Sequence, residues 1–147
     1  MPAIELALLA DLPTRHFTTG EVILTEDRPN TALYFLASGS VEIVRNNTQI
    51  DTENTPGIVL GEISTLLGLA PIATVRALAP STVYIAGDPD TFLSANPSII
   101  LQIAKTLATR LQRASTFLSD LRKKNAADSD HLDMIHGVLE CLLQEES

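Results

Sequence analysis

Seven short apolar segments, each bounded by turn residues, constrain the fold of this chain most strongly. They are rich in Val, Ile, Leu, Thr and Tyr, as β-strands commonly are, and occupy residues 21–25, 32–36, 40–45, 48–52, 58–60, 74–78 and 82–86. Asn46 and Asn47 stand between two of them and suit the positive φ angles of a two-residue hairpin turn. Close strand spacing with regular turns predicts a mainly β roll, a jelly-roll-like double-stranded β-helix.

The last third of the chain predicts helices that flank this roll, and residues 4–10 predict a short opening helix. Asp88 before Pro89, and Asn96 before Pro97, each match a side-chain N-cap followed by proline at the first helical position. From the second start, apolar residues recur at alternating steps of four and three, at Ile100, Ala104, Leu107, Leu111, Ala114, Leu118 and Leu121. This spacing predicts a long helix with a coiled-coil seam.

The seam residues have two explanations. A helix can lay such a stripe on its own small domain, which needs the burial. Three regular heptads exceed what one small roll can cover, however, so we expect the seam to join two copies in a homodimer.

Residues 125–130 interrupt the periodicity with polar side chains. Beyond them a second, shorter amphipathic helix is expected from Leu132, Ile135, Val138, Leu139 and Leu142. The chain therefore predicts one domain over residues 1–124, including the long helix, and an acidic helical tail over residues 125–147.

The net charge of −8 is unevenly distributed along the 147 residues. Residues 95–124 hold six basic and one acidic side chain, whereas residues 1–94 hold four basic and eleven acidic ones, and residues 125–147 hold six acidic and no basic ones. We expect the basic segment to form the solvated face of a helix that pairs loosely with the acidic tail; nucleic-acid binding is the weaker alternative.

Several classes of protein are disfavoured by the sequence. No segment reaches the roughly 20 apolar residues of a membrane-spanning helix, and the early acidic residues Glu5 and Asp11 do not fit a secretion signal, so we expect a cytoplasmic protein. Cys141 is a single cysteine, and with His131 and His136 it falls at spacings of five that do not share a helical face. Neither a metal site nor a catalytic triad is expected, and we predict that the chain is not an enzyme.

The segment from Gly61 to Ala73 carries the features most suggestive of binding. Gly61 allows close approach of backbone and ligand, and Glu62, Ile63 and Ser64 begin a short helix whose free amides suit an anion. The Glu62 carboxylate suits a sugar hydroxyl; alternatively, it only satisfies its own helix start. Ser64 and Thr74 are likewise explained as an ordinary polar helix position and a strand hydroxyl. These features predict that the segment binds a small phosphorylated sugar.

Four motifs together resemble the cyclic nucleotide-binding domain family, which includes catabolite activator proteins, regulatory subunits of cAMP-dependent kinase and cyclic-nucleotide-gated channels. The resemblance covers roughly residues 5–121. Its motifs are Phe-Thr-Thr-Gly-Glu-Val-Ile at 17–23, Leu-Tyr-Phe-Leu-Ala-Ser-Gly-Ser-Val at 33–41, Gly-Glu-Ile at 61–63 and Ala-Thr-Val-Arg-Ala at 73–77. We name the segment from Gly61 to Thr74 the cassette, because the resemblance implies that it is a phosphate-binding cassette.

The resemblance also implies residue roles. Glu62 corresponds to the glutamate that holds the ribose 2′-hydroxyl, whereas Pro71 stands where an arginine clamps the cyclic phosphate, and Ile72 where a small or hydroxyl residue is common. Loss of such a charge partner costs about 2–5 kcal/mol of binding. Arg76 is a poor substitute, because it lies five residues later with the opposite strand parity. The candidate binding residues are Gly61, Glu62, Ile63, Ser64, Pro71, Ile72, Ala73 and Thr74.

Two functions remain open on this basis. The chain is either a sensor that binds cAMP, cGMP or a related phosphorylated ligand and transmits the change through its long helix, or a degenerate module that dimerises or docks without a small ligand. Gly61 and Glu62 favour the first, and Pro71 and Ile72 the second. Transcription regulation is less expected, because the 23 residues after Lys124 are too few for a DNA-reading domain. Output would pass through an unidentified protein partner.

Overall fold

A computed structural model describes residues 3–124 of the chain. They form a 3-10 helix, eight strands and three α-helices. In chain order these are the 3-10 helix Leu6–Leu9, β1 (Thr14–Phe17), β2 (Val22–Leu24), β3 (Leu33–Ser38), β4 (Val41–Arg45), β5 (Thr48–Glu53), β6 (Val59–Leu60), α1 (Glu62–Leu67), β7 (Thr74–Ala77), β8 (Ser81–Ala86), α2 (Pro89–Ala95) and α3 (Pro97–Lys124). The predicted β roll with flanking helices and a long C-terminal helix is confirmed. The short helix and acidic tail predicted beyond residue 124, with His131, His136 and Cys141, lie outside the described residues.

The strands form two antiparallel four-stranded sheets. One has the order β1-β8-β3-β6 and the other the order β2-β7-β4-β5. Both sheets contribute to one apolar core, whose buried members are Phe17, Ile23, Leu24, Leu36, Val41, Ile58, Leu60, Val75, Ala77 and Val83. Removal of this apolar surface from water is the main stabilising contribution to the roll.

All seven predicted strands are present, with ends that differ by up to two residues, and the eighth, β1, escaped prediction. Three of its four residues are exposed, and Phe17 alone is buried. The strand is therefore held mainly by backbone hydrogen bonding to β8 at a sheet edge, with His16 opposite Thr82. A side-chain pattern cannot reveal a strand of this kind.

The predicted hairpin turn is confirmed, because Asn46 and Asn47 have φ angles of 51° and 62° between β4 and β5. The opening helix is shorter than expected. Only Leu6–Leu9 is helical, with 3-10 geometry, and Leu9 is its one buried residue.

The two proline-led helix starts are both present. The Asp88 carboxylate accepts hydrogen bonds from the backbone N–H and the hydroxyl of Thr91, as expected of an N-cap. Asn96 behaves differently from the prediction at the second start. Its side-chain amide donates to the carbonyl of Phe92 at 2.8 Å, and so satisfies the C-terminal end of α2.

The chain divides into two compact units, Met1–Ile103 and Ala104–Ser147. In the first, Ile99 and Ile103 are buried residues of α3, and the rings of Phe35 and Phe92 meet edge to face at 5.9 Å. In the second, the described part is the remainder of α3, where the seam leucines are partly exposed and the seam alanines exposed. The domain boundary predicted at residue 124 remains a prediction.

Candidate functional site

The cassette begins with a tight turn from strand to helix. Strand β6 ends at Leu60, and Gly61 has a φ of 80°, in the left-handed region that disfavours other residues. A Cβ on Gly61 would lie 2.8 Å from Cδ1 of Leu24. The backbone conformation thus favours glycine, and a Cβ would have to displace the Leu24 side chain. The approach of a ligand to this backbone remains a prediction. Helix α1 follows immediately and ends at Leu67, and the next residue, Gly68, caps it through a backbone N–H that donates to the carbonyl of Ser64.

Two polar residues of α1 face the interior. Glu62 is only 4% exposed and Ser64 only 3%. The Ser64 hydroxyl donates to the carbonyl of Gly61 at 3.0 Å, which fixes the first turn of the helix. A carboxylate held in such a low-dielectric position is a strong hydrogen-bond acceptor for a group that reaches it.

The other end of the cassette is joined to the loop between β2 and β3. Pro71 is buried, and its carbonyl accepts a hydrogen bond from the backbone N–H of Asp27 at 2.9 Å. The backbone N–H of Glu26 donates to the Thr74 hydroxyl at 3.1 Å. The hydroxyls of Ser64 and Thr74 therefore both bind the protein's own backbone in this structure.

The remaining candidate residues of the cassette differ in exposure. Ile63 and Ile72 are exposed, the latter by 49%, whereas Ala73 is partly buried. Pro71, rather than Ile72, is thus the apolar side chain that enters the interior here.

Arg76 lies on the outer face of β7, as its strand parity predicts. Its neighbours Val75 and Ala77 are buried, and its guanidinium donates from two nitrogens to Oε1 of Glu42. This pairing engages Arg76 away from the core face of the sheet, so the structure offers no support for Arg76 as a phosphate ligand.

A cavity of about 530 Å³ lies beside the cassette. Its walls come from the β2–β3 loop, from α1 with the residues after it, and from the start of α2, and comprise Pro29, Asn30, Thr31, Ser64, Thr65, Gly68, Leu69, Ala70, Gly87, Asp88, Pro89 and Asp90. This lining includes two carboxylates and no lysine, arginine or histidine, so the cavity does not suit an anionic phosphate. It contains Ser64 but neither Glu62 nor the residues 71–74.

Sequence reasoning did not identify the β2–β3 loop as part of this region. Asn30 folds onto its own loop, where its side-chain amide donates to the carbonyl of Ala32 at 2.8 Å, and the hydroxyl of Thr65 donates to the same carbonyl at 3.0 Å. In the sequence, residues 28–30 indicate only a turn. Their contact with the cassette arises from long-range pairing and has no local signal.

Asp88 shows a clear electrostatic effect. The hydrogen bond from the Thr91 hydroxyl, and next the one from the Thr91 backbone N–H, hold the pKa of the Asp88 carboxyl below its usual value. Over residues 3–124 no group of three or more His, Cys, Asp or Glu side chains is arranged to hold a metal ion. None of the helices in this range combines the length and apolar character needed to cross a bilayer.

Comparison with known proteins gives a family and a fold. The family model for the cyclic nucleotide-binding domain matches residues 14–93, slightly more than half of the chain. The Pycsar effector protein BcPycTIR from Burkholderia cepacia is 33% identical over an alignment of 128 residues, and this alignment covers 83% of this chain and 40% of that protein.

Solved structures have the same architecture. The catabolite activator protein of Thermus thermophilus has a TM-score of 0.69 at 24% identity, and the matched region covers 78% of this chain and 57% of that protein's chain. The cAMP-bound PfPKA-R (141–441) has a TM-score of 0.59 at 22% identity, and the matched region covers 75% of this chain and 37% of that chain. The chain thus spans less than two thirds of the length of these three relatives. With the family model spanning β1 to α2, and the Gly61–Glu62 turn placed between β6 and β7, this chain belongs to the cyclic nucleotide-binding domain family.

Proposed function

We propose that the chain is a regulatory module that binds a cyclic nucleotide, cAMP or cGMP, or a related phosphorylated ligand at its cassette. The observation that carries this proposal is the buried carboxylate of Glu62 directly after the left-handed Gly61. A buried carboxylate accepts a strong hydrogen bond from a sugar hydroxyl, and the left-handed turn at Gly61 leads the chain directly into the helix that carries this carboxylate.

Family membership supports the same ligand class. The chain shares its fold with the cAMP-bound PfPKA-R and retains the Gly61–Glu62 pair of the family motif. The resemblance gives Glu62 the ribose 2′-hydroxyl as its partner. Binding would then order the cassette around the ligand.

Transmission through α3 is the second part of the proposal. Ile99 and Ile103 anchor the first turns of α3 in the unit that contains the cassette. Along the same helix, Ile100 and the later seam residues are exposed or partly exposed, which supports their use in a homodimer. A ligand can move this helix only if it binds two helix positions with different affinity.

The alternative is a module that dimerises or docks without a small ligand. One observation favours it: Pro71, at the position of the family's arginine, is buried and bound through its carbonyl to Asp27. A proline cannot donate to a phosphate or neutralise it.

A nucleotide titration separates these functions. We would titrate the full chain calorimetrically with the 3′,5′-cyclic nucleotides of adenine, guanine, cytosine and uracil, and follow thermal unfolding with each. The sensor proposal predicts saturable binding at one site per chain, and a stabilisation of about 2.7 kcal/mol when ligand reaches a hundred times its Kd. Absence of heat and of stabilisation up to millimolar nucleotide would contradict it and favour the docking module.

The proposal places the module in the cytoplasm. It assigns the module neither a catalytic activity nor direct contact with DNA. It assigns the output to a protein partner of the homodimer. If a Leu111→Lys variant keeps the mass of a dimer in sedimentation, the seam is not the dimer contact, and this part of the proposal is wrong.

A further inference from the structure

A cyclic phosphate that enters the cassette brings a negative charge into a partly buried position. Such a charge is costly unless a cation pairs with it. The cassette itself supplies none, because residues 61–75 contain no lysine or arginine. If the proposed function is right, the cation must come from another part of the chain or from a second copy.

The unit that contains the cassette offers four arginines and no lysine, namely Arg15, Arg28, Arg45 and Arg76. Arg76 is engaged by Glu42 on the outer face of its sheet. The guanidinium of Arg15 lies over the ring of Phe17, 5.0 Å from its centroid. Two arginines, Arg28 and Arg45, are left to consider.

Arg28 ends a turn that is bound directly to the cassette. The backbone N–H of Arg28 donates to the carbonyl of Thr25, and the two residues inside this turn, Glu26 and Asp27, donate to the Thr74 hydroxyl and to the Pro71 carbonyl. Consecutive Cα atoms lie about 3.8 Å apart, so the backbone of Arg28 is one residue from the contact with Pro71.

The same loop also reaches the first residue of the cassette. A Cβ on Gly61 would have Leu24 and the side-chain amide of Asn30 as its neighbours, at 2.8 and 3.8 Å. The β2–β3 loop, with Leu24 at the end of β2 before it, therefore lies beside Gly61 and is hydrogen-bonded to Pro71 and Thr74. Arg28 is the one basic residue of this loop.

The backbone around Arg28 is restrained before any ligand arrives. Pro29 limits the preceding residue to extended conformations, and Asn30 is bound through its side chain to both the backbone N–H and the carbonyl of Ala32. The Arg28 side chain is exposed, and no hydrogen bond or ion pair engages it among the residues that the structure describes. A restrained backbone that carries an uncommitted guanidinium favours anion binding, since less entropy is lost on association.

We propose that Arg28 supplies the guanidinium that pairs with the ligand phosphate, from the β2–β3 loop instead of from the cassette. This inference rests on the proposed function. In this arrangement the positive charge comes from a loop residue beside Pro71. The cassette can then bind a phosphate although a buried proline stands at the position of the family's arginine.

Arg45 is the competing candidate within this unit. It is the last residue of β4, and the backbone N–H of Asn46 next to it donates to Oε1 of Glu26 at 3.3 Å. Its link to the cassette thus runs through one side chain of the loop, whereas Arg28 is in the loop itself. The experiment must therefore separate the two arginines.

The test is calorimetric titration of the full chain and three variants, Arg28→Gln, Arg45→Gln and Arg15→Gln, with the same four cyclic nucleotides and with adenosine. Each variant removes one positive charge, so Arg15→Gln is the matched control for net charge. We expect Arg28→Gln to weaken cyclic nucleotide binding by about 30-fold or more, the effect of removing one partner from a buried charge pair. Arg45→Gln and Arg15→Gln should stay within about threefold, and adenosine, which has no phosphate, should bind all four proteins equally. Thermal unfolding without ligand checks that each variant is folded.

Each other outcome overturns the inference. Cyclic nucleotide binding that survives Arg28→Gln, or that is lost in Arg45→Gln or Arg15→Gln instead, excludes Arg28 as the phosphate partner and leaves the proposed function standing. Equal weakening of adenosine and cyclic nucleotide by Arg28→Gln would show a structural effect. Absence of binding by the unmodified chain overturns both proposals.

Discussion

Arg76 and Glu42 stand directly opposite each other on β7 and β4, and both Nε and a terminal nitrogen of Arg76 donate to the same carboxylate oxygen of Glu42. The side chain of Glu42 is only 11% exposed, whereas that of Arg76 is 44% exposed. The pair thus holds a nearly buried carboxylate on the outer face of a sheet whose inner face forms the core.

Arg76→Gln should lower the free energy of unfolding by about 1–3 kcal/mol, because it leaves the Glu42 carboxylate without its charged donor. The double variant Glu42→Gln/Arg76→Gln should recover part of that loss. Urea unfolding gives both values. Cyclic nucleotide affinity should stay unchanged in Arg76→Gln, and a large loss of affinity would contradict the placement of Arg76 outside the site.

Gly57→Ala and Gly20→Ala form a matched pair, because the two glycines have φ angles of 90° and 91°. A Cβ at Gly57 would collide with the backbone carbonyl of Ile4, whereas nothing lies within 4 Å of one at Gly20. Gly20→Ala should therefore cost only the strain of a left-handed residue, about 1–2 kcal/mol, and Gly57→Ala clearly more. Thermal unfolding measures the difference. Equal losses would show that residue 4 does not pack against Gly57 as described.

The acid stability of α2 should depend on Asp88. Its pKa is lowered in the folded chain by the bonds from Thr91, so the stabilisation is present above the ordinary pKa of an aspartate and is lost as the pH falls through the lowered value. Asp88→Asn retains a good N-cap but does not titrate there. Its melting temperature should fall less steeply on acidification than that of the unmodified chain, and Asp88→Ala should melt lower at every pH. An unchanged acid profile in Asp88→Asn would contradict this role.

The seam on α3 gives a prediction about mass. Leu111→Lys places a charge in the predicted dimer contact, and Leu101→Lys makes the same change at an exposed leucine outside the seam. Sedimentation should give twice the chain mass of 15.8 kDa for the unmodified chain and for Leu101→Lys, and one chain mass for Leu111→Lys. A monomeric unmodified chain, or an unaffected Leu111→Lys, would remove the dimer.

The fold was largely predictable because the apolar segments and turn residues are local signals. The positive φ angles of Asn46 and Asn47 and the cap at Asp88 follow from the chemistry of those residues. Strand β1 was not predictable, since its exposed residues carry no pattern and its partner β8 lies 66 residues away at His16 and Thr82.

Of the candidate site, the sequence alone could predict only the residues of the cassette itself. The residue types of Gly61 and Glu62 indicate the candidate site in the sequence, and the burial of Glu62 agrees with a side chain that points into the domain. The approach of Asp27 to Pro71 depends on the pairing of β2 with β7, which no local pattern encodes. The candidate cation at Arg28 therefore became visible only in the folded chain.

Glu62 gives the most direct test of the account. We would titrate the unmodified chain and Glu62→Gln with the best-bound cyclic nucleotide and with its 2′-deoxy form. Because a hydrogen bond between the Glu62 carboxylate and the ribose 2′-hydroxyl contributes about 1.5–3 kcal/mol, the unmodified chain should prefer the ribose form by about 10- to 150-fold, and Glu62→Gln should lose most of that preference. Equal affinity of the unmodified chain for both forms, or no binding of either at millimolar concentration, would contradict the assignment of the cassette as a cyclic nucleotide site.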